Sequence, residues 1–253
     1  MPGTAETKWS GRHRGKDKLR AEVWSALKRE GVSRRDPFGR IPAFVGSEKA
    51  AERLAALPVW QRAEVIKCNP DEPQAPVRLR ALQDRKRLYM AVPRLTDLRC
   101  FVELTAEQLR KRSIPFERAA RARQALRCGR LVTFEEMQPI DLVVTGCVAV
   151  TREGGRTGKG AGFADLELGM LREAGLVRPD TPVVTTVHQL QVVSDSRLPM
   201  QAHDWALDVI VTPQQVIETH TTPPRPRGLD WSAVRPDQLR TIPVLRKLRA
   251  SRG

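Results

Sequence analysis

The sequence predicts an α/β fold of three layers, in which a mainly parallel β-sheet lies between two layers of helices. Short apolar runs typical of strands alternate along the chain with segments whose apolar residues recur every three or four positions, as in helices. Because parallel strands are joined by crossover connections that are usually helical, this alternation favours a parallel sheet. The 253 residues, 40% hydrophobic and 29% charged, can bury one substantial core, whereas two independent domains would be cramped.

The elements predicted in the first half follow a polar, basic N-terminus, residues 1–15, which we expect to be disordered. Leu19, Val23 and Leu27 recur at helical spacing, and Gly31 can end that helix. An arm rich in proline, glycine and arginine covers 32–46. The remaining predictions are, in chain order, a helix capped by Ser47 and ending near Leu57, a strand beginning at 65–66, a helix over 77–86, a strand over 87–92, a helix opened by a capping box of Thr105 and Gln108, and a helix over 116–128 ended by Gly129.

The second half opens on a long strand-like run over 141–150. A glycine-rich loop and an amphipathic segment, which predicts a helix, come next. Further apolar runs over 182–187 and 207–211 predict two more strands. Beyond Thr219, a proline-rich segment predicts a stiff linker into a short basic helix. We therefore expect an α/β domain over 16–219, with the linker and C-terminal helix appended over 220–253.

The most informative segment is the glycine-rich loop over 154–162, Gly-Gly-Arg-Thr-Gly-Lys-Gly-Ala-Gly. Glycines let a backbone approach an anion closely, and the N-terminus of a following helix attracts negative charge, so the pattern is typical of a phosphate-binding loop. It is not a P-loop, because Glu153 and Gly160 occupy two required positions, and Phe163 breaks the dinucleotide fingerprint. A flexible connector is the alternative. The strand-like run before the loop favours the phosphate site, at the carboxyl edge of the sheet.

Three segments, in order along the chain, resemble the signature of the 5-formyltetrahydrofolate cyclo-ligase (methenyltetrahydrofolate synthetase) family. They are Lys16-Asp-Lys-Leu-Arg20, then Asp141-Leu-Val-Val with Gly155-Arg-Thr-Gly-Lys-Gly-Ala-Gly-Phe-Ala-Asp165, and finally His203-Asp204 with Asp208-Val-Ile-Val-Thr212. The resemblance covers residues 16–218. It implies a three-layer α/β/α fold of the NagB/RpiA/CoA transferase-like type.

The loop also departs from the family pattern. Phe163-Ala-Asp-Leu166 stands where the family has Tyr-Tyr-Asp-Arg, Lys159 and Ala161 replace an aromatic residue and a glycine, and Thr145 replaces a proline. The chain is therefore similar to a divergent branch, the methenyltetrahydrofolate synthetase domain-containing proteins. Three further segments resemble that branch: Ile41-Pro-Ala-Phe-Val-Gly46, Thr185-Thr-Val-His-Gln189 and Ile242-Pro-Val-Leu-Arg246.

The resemblance implies a site for ATP and a reduced folate. The residues it assigns to ATP are Lys16, Gly155, Arg156, Gly158, Lys159, Gly160, Gly162 and Phe163. Arg156 and Lys159 are the candidate catalytic residues, because they can stabilise the charge of a transferring phosphoryl group. Asp165 is the candidate Mg²⁺ ligand, and a carboxylate there also suits the helix dipole.

Four candidate residues have simpler alternatives. His203 and Asp204 can orient substrate or form a turn with a cap, Lys16 can be a solvated lysine, and His188 can face the ligand or be structural.

The implied activity is the ATP- and Mg²⁺-dependent conversion of 5-formyltetrahydrofolate to 5,10-methenyltetrahydrofolate, with release of ADP and phosphate. One alternative is a nucleotide- or folate-binding member of the family that lacks this activity or uses another substrate. A second is an RNA-associated protein, because 44 Lys and Arg against 29 acidic residues give a net charge of +15. The sequence carries no prediction of oligomeric state.

No apolar stretch is long enough to span a bilayer, and the charged N-terminus does not resemble a secretory signal, so we expect a cytoplasmic protein. The four cysteines, Cys68, Cys100, Cys128 and Cys147, are widely spaced, and we interpret them as small buried hydrophobic residues.

Overall fold

The structure is a computed structural model that describes residues 13–220 and 225–251. Its helices are α1 (Arg14–Arg29), α2 (Ser47–Ala55), α3 (Pro58–Arg62), α4 (Ala75–Gln83), α5 (Ala106–Lys111), α6 (Phe116–Ala119), α7 (Ala122–Cys128), α8 (Phe163–Glu173), α9 (Pro236–Thr241) and α10 (Pro243–Ala250). Its strands are β1 (Val65–Cys68), β2 (Arg87–Ala91), β3 (Phe101–Leu104), β4 (Arg130–Val132), β5 (Leu142–Val144), β6 (Ala149–Thr151), β7 (Arg156–Thr157), β8 (Val183–Thr186), β9 (Val192–Val193), β10 (Val209–Val211) and β11 (Val216–Glu218).

The main sheet has eight strands in the order β11-β10-β8-β5-β1-β2-β3-β4. Its five central strands, from β10 to β2, are parallel. The outer strands β11, β3 and β4 are antiparallel to their neighbours. The prediction of a mainly parallel sheet is confirmed.

Helices cover both faces of this sheet, because successive side chains of each buried strand point to opposite sides. Within β1, Ile66 and Cys68 pack into an apolar cluster with α2 and α4, whereas Val65 belongs to a second cluster with α8 and α10. A smaller cluster joins α1 to β6 of a second, three-stranded sheet, whose order is β7-β6-β9. The three-layer α/β/α prediction is therefore confirmed.

The expectation of one strand over 141–150 is wrong. The run divides into β5 of the main sheet and β6 of the small sheet, and Gly146 lies between them. A Cβ at Gly146 would come within 2.8 Å of Asp71 Oδ2 and 2.9 Å of Gln74 Oε1, so this close approach requires glycine. The glycine loop consequently follows β6 of the small sheet, includes β7, and does not extend directly from a strand of the main sheet.

The single helix expected over 116–128 is also two helices, α6 and α7. At the break, the Ala120 carbonyl accepts a hydrogen bond of 2.8 Å from Nε of Arg78, a buried guanidinium that needs backbone acceptors. Arg121 is extended, with ψ of 124°. Periodicity alone does not reveal this break, because the apolar spacing continues across it.

Two predicted helix starts also differ from the structure. The N-cap of α2 is Gly46, at φ of +88°, and Ser47 is the first helical residue. The first helix begins at Arg14, two residues inside the segment expected to be disordered; residues 1–12 lie outside the described part. The Thr105 hydroxyl does accept a hydrogen bond from the Gln108 N–H at 3.3 Å, as the predicted start of α5 requires. Among the described helices, none is long and apolar enough to cross a bilayer.

Candidate active site

A cavity of about 770 Å³ opens at the carboxyl ends of β1, β2 and β5. The chain crosses from β1 to β2 on one side, whereas β5, β8 and β10 extend the sheet on the other. Ligands of open α/β sheets bind at such a point, where the strand order reverses. The rest of the wall comes from the inner face of α1, the glycine loop, parts of 38–41 and 201–204, and a C-terminal segment that we define as residues 228–238.

The predicted site residues converge on this cavity, although they come from opposite ends of the sequence. Those that line it are Lys16, Arg156, Gly158, Lys159, Gly160, Gly162, Phe163, Asp165, His203 and Asp204. Gly155 lies outside the lining, in the turn between β6 and β7. Its N–H donates to Thr151 Oγ1 at 3.0 Å, and a Cβ there would lie 2.8 Å from that oxygen. Glycine at position 155 is therefore required by the turn between β6 and β7, not by the cavity.

The glycine loop turns sharply into α8. Gly160 has φ of +105° and Gly162, the N-cap of α8, has φ of +72°, both in the left-handed region that favours glycine. No side chain caps the start of α8, and its first three residues line the cavity. The positive end of the helix dipole thus lies in the cavity wall, where it attracts anions.

Arg156, within the glycine loop, is held rigidly. Its Nη2 donates to Asp165 Oδ1, and its Nε donates to the Trp205 carbonyl at 2.7 Å. Burial disfavours the charged guanidinium, but the nearby carboxylates of Asp165, Asp204 and Glu167 outweigh that effect and raise the pKa of Arg156. The side chain therefore presents a fixed positive charge at the cavity.

Lys16 and Asp204 form an ion pair between residues 188 positions apart in the chain. Each side chain is 9% exposed. Asp204 also accepts a hydrogen bond of 2.7 Å from the Gln201 N–H, and its other oxygen lies 4.0 Å from Nε2 of His203. Two separately predicted features, the N-terminal lysine and the His-Asp step, are thus in contact with each other.

Lys159 crosses from the glycine loop toward the end of β1. Its Nζ lies 3.5 Å from Asp71 Oδ1, and its side chain is 49% exposed. The lysine is therefore anchored at one edge of the cavity while remaining accessible from solvent.

Sequence reasoning did not assign several residues of the cavity. Arg20 is buried on α1 and donates from Nη1 to Thr157 Oγ1 at 2.6 Å, directly behind the glycine loop. Its spacing of four from Lys16 places both on one helix face, and this signal could have identified it. Asn69 and Asp71, which follow β1, could have been found as polar residues at a strand's carboxyl end. No local signal identifies Asp230 and Arg235, which reach the cavity through packing of the C-terminal segment.

His188 and the cysteines lie apart from this site. Nδ1 of His188 accepts a hydrogen bond of 3.3 Å from the Leu190 N–H, burial lowers its pKa, and the residue does not line the cavity. The prediction of buried cysteines is confirmed: all four are buried and free. Burial raises the pKa of Cys68 to about 11 and that of Cys100 to about 12, so neither thiol is a ready nucleophile.

A family model described as the 5-formyltetrahydrofolate cyclo-ligase family matches residues 12–213. The chain belongs to this family. The predicted family relationship is therefore confirmed.

Its relatives in the cyclo-ligase family include methenyltetrahydrofolate synthase domain-containing proteins of cattle and mouse. The bovine protein is 36% identical over 237 residues, which are 92% of this chain and 62% of the relative. The mouse protein is 38% identical, with 92% and 63% covered. The chain thus spans slightly less than two thirds of the length of these relatives. An NMR structure of Aquifex aeolicus 5,10-methenyltetrahydrofolate synthetase matches with a TM-score of 0.51 at 20% identity, covering 87% of this chain and 99% of that one, and shows the shared fold.

The family resemblance implies a Mg²⁺ ion, and such an ion requires oxygen ligands at the cavity. Within residues 13–220 and 225–251, no cluster of three or more His, Cys, Asp or Glu side chains could hold a metal alone. Mg²⁺ characteristically needs only one or two carboxylates, with nucleotide phosphates as further ligands. Asp165 fits that requirement, because its carboxylate lines the cavity and its side chain is 22% exposed. Its Oδ1 accepts hydrogen bonds from Nη2 of Arg156 and from the Trp205 N–H, which orient the carboxylate.

Proposed function

We propose that this chain catalyses the ATP- and Mg²⁺-dependent conversion of 5-formyltetrahydrofolate to 5,10-methenyltetrahydrofolate, with release of ADP and phosphate. Family membership supports the reaction class. The observation that carries the proposal is that Lys16, Arg20, Arg156 and Lys159 surround one cavity together with the N-terminus of α8. Fixed cations and a helix N-terminus at one place are suited to the polyphosphate of a nucleotide.

In the proposed reaction, the formyl oxygen attacks the γ-phosphorus of ATP, and ADP leaves. The formyl carbon, now bonded to a phosphorylated oxygen and to N5, becomes electrophilic. N10 then attacks this carbon, loses its proton, and the phosphate departs with the former formyl oxygen. The five-membered ring of the methenyl product closes. A protein takes little part in the covalent chemistry of phosphoryl transfer, so the site has to position the two substrates and stabilise the negative charge of the transferring group.

Arg156 and Lys159 have different parts in this proposal. Arg156 is buried and oriented by two hydrogen bonds, so it faces the transferring group without reorganising, the property that makes electrostatic stabilisation effective. Lys159 is half-exposed and linked to Asp71, so it can move from that carboxylate onto the phosphates as ATP enters.

Asp165 would hold Mg²⁺ in this proposal, and the ion when bound would supply neutralisation of the phosphate oxygens. The carboxylate also orients Arg156, so one residue would organise both the metal and the fixed cation. Lys16, paired with Asp204, would bind phosphate oxygens from α1, on the opposite wall.

The proposal is tested by following the near-ultraviolet absorbance of the methenyl product with 5-formyltetrahydrofolate and MgATP. We expect Lys159→Ala and Asp165→Ala each to lower the turnover rate by about 100- to 1,000-fold, the usual effect of removing one stabilising contact from a charged transition state. Lys18→Ala is the matched control, because Lys18 is exposed on α1 and does not line the cavity.

Equal turnover rates in wild type and both site variants would show that the glycine loop takes no part in the reaction. Binding of ATP without any methenyl product would favour the alternative of a family member that lacks this activity.

A further inference from the structure

The C-terminal segment runs along α8 and ends beside the glycine loop. At the last residue of α8, Glu173 accepts a hydrogen bond of 3.2 Å from the Leu229 N–H. At the opposite end of the helix, Nε2 of Gln238 lies 3.7 Å from the position that a Cβ at Gly162 would occupy. The segment is therefore antiparallel to α8 and reaches its N-cap. It lies beyond residues 12–213, the part of the chain that the family model matches.

The side-chain amide of Gln238 has a fixed orientation. The residue is only 2% exposed, yet it lines the cavity. It is the third residue of α9, and its Oε1 accepts a hydrogen bond of 3.0 Å from the Arg235 N–H. Because a backbone donor requires an acceptor at that position, the other polar atom of the amide is the nitrogen. Nε2 is consequently directed toward the start of α8.

This nitrogen is a donor that the fold does not use. Within residues 13–220 and 225–251, Nε2 of Gln238 has no hydrogen-bond partner. Native proteins rarely leave a buried amide donor unsatisfied, because its desolvation is then uncompensated. The cavity is the side from which an acceptor can reach it.

The start of α8 determines which acceptor suits this donor. The first N–H groups of a helix have no partner within the helix, and the helix dipole adds partial positive charge at the same end. The first three residues of α8 line the cavity together with Gly162 and Gln238. Backbone donors and a side-chain amide that face one region of a cavity are suited to an oxyanion such as phosphate.

We propose that Gln238 is a further binding residue of this site, and that its Nε2 donates to a phosphate oxygen held at the start of α8. The inference rests on the proposed function for the nucleotide that carries this phosphate. A neutral amide adds a donor without repelling Arg156 and Lys159, which supply the positive charge. The C-terminal segment is thereby part of the binding site and not an appendage of the α/β domain.

Gln238→Glu tests this assignment while preserving the local fold. Glutamate, like glutamine, is a usual third residue of a capping box, so its carboxylate can still accept from the Arg235 N–H. The substitution replaces the donor by an oxygen that repels phosphate. In isothermal titration calorimetry on the full chain, the variant should bind MgATP and Mg²⁺-tripolyphosphate about 10- to 100-fold more weakly than wild type, as expected for loss of a hydrogen bond to a charged group.

Gln108→Glu is the matched control for this substitution. Gln108 is also the third residue of a helix, α5, but it is exposed and lies outside the cavity. The control changes the net charge equally and should bind both ligands as wild type does. Gln238→Met removes the donor without adding a charge, so it should weaken binding of both ligands, although less than Gln238→Glu does. Thermal unfolding of each variant checks that the protein remains folded.

The two ligands determine which outcomes contradict the inference. Wild-type affinity for tripolyphosphate in both Gln238 variants would overturn it. Weaker binding of MgATP with unchanged binding of tripolyphosphate would also overturn it, because Gln238 would then contact another part of the nucleotide. Failure of the wild-type protein to bind either ligand would overturn it as well.

The absorbance of the methenyl product separates this inference from the proposed function. Polyphosphate binding that depends on Gln238, in a protein that forms no methenyl product, would support the inference and contradict the proposed reaction. Product formation with equal ligand affinities in wild type and Gln238→Glu would support the reaction and contradict the inference.

Discussion

Charged residues at the cavity form ion pairs, and two of the three pairs join residues that lie far apart in the sequence. Lys16 pairs with Asp204, Arg156 with Asp165, and Lys67 with Glu167. Each pair satisfies a cation that burial would otherwise penalise, and each leaves at least one partner lining the cavity. Motif spacing predicted several of the members, but the pairing itself depends on tertiary contacts that no local pattern encodes.

His188 provides a test of stability at the level of one residue. Burial lowers its pKa in the folded protein below the usual 6.5, so the unfolded chain binds a proton more readily. Stability should therefore be complete above about pH 6.5 and decline as the pH falls below that value. His188→Asn keeps a side-chain acceptor for the Leu190 N–H but does not titrate there. Urea unfolding at pH 7.5 and 5.5 should show a smaller loss in the variant, and equal losses would contradict this account.

At the scale of elements, the glycine loop combines two different backbone requirements. Gly162 is left-handed at the start of α8, and replacing it with alanine should destabilise the protein by about 1–2 kcal/mol. Gly158 is the matched control, because its φ is not in the left-handed region and a Cβ there would meet no atom within 4 Å. Thermal unfolding should separate Gly162→Ala from Gly158→Ala. Equal stability of the two variants would show that loop conformation does not depend on Gly162.

The contact between α8 and the C-terminal segment gives a second prediction at this scale. A Cβ at Gly169 would lie 2.9 Å from Leu229 Cδ2, while Glu173 on the same helix accepts hydrogen bonds from the Leu229 N–H and from Trp231 Nε1. Gly169→Ala should therefore destabilise by about 1–3 kcal/mol through overpacking, although alanine usually favours a helix. It should also weaken MgATP binding, because residues 228–238 line the cavity.

Adding Leu229→Ala to Gly169→Ala supplies the control for this contact. The shorter side chain removes the closest clash, so the double variant should recover part of the stability that Gly169→Ala loses, with both variants and wild type compared by urea unfolding at pH 7.5. A Gly169→Ala protein more stable than wild type would show that the segment does not pack as described.

Elements with strong apolar periodicity were predicted well, and their interruptions were not. The helix around Leu19 to Leu27 and the strand starting at Val65 were confirmed because burial of one face determines them. The turn at Gly146 and the break at Ala120 depend on distant partners, Asp71 and Arg78. The antiparallel strands β3 and β4 were not predicted, because each is short and is stabilised by pairing with a neighbouring strand, which the local sequence pattern does not show.

For the whole molecule, alternation of strands and helices was enough to predict the three layers and the parallel centre of the sheet. The family resemblance then supplied most candidate residues, and the fold gathered all of the candidates except Gly155 and His188 around one cavity. The C-terminal segment was not predicted to reach that cavity, since its place depends on packing against α8. Binding of nucleic acid through the net charge of +15 stays a prediction from composition.

In the proposed reaction, the γ-phosphoryl group of ATP is transferred to the formyl oxygen of 5-formyltetrahydrofolate. The most direct measurement is to label that oxygen with ¹⁸O, allow a single turnover with MgATP, and analyse the released phosphate by mass spectrometry. Our account predicts one ¹⁸O atom in each phosphate, with ADP and methenyl product formed in equal amounts. Phosphate without the label, or ADP formed without methenyl product, would contradict it.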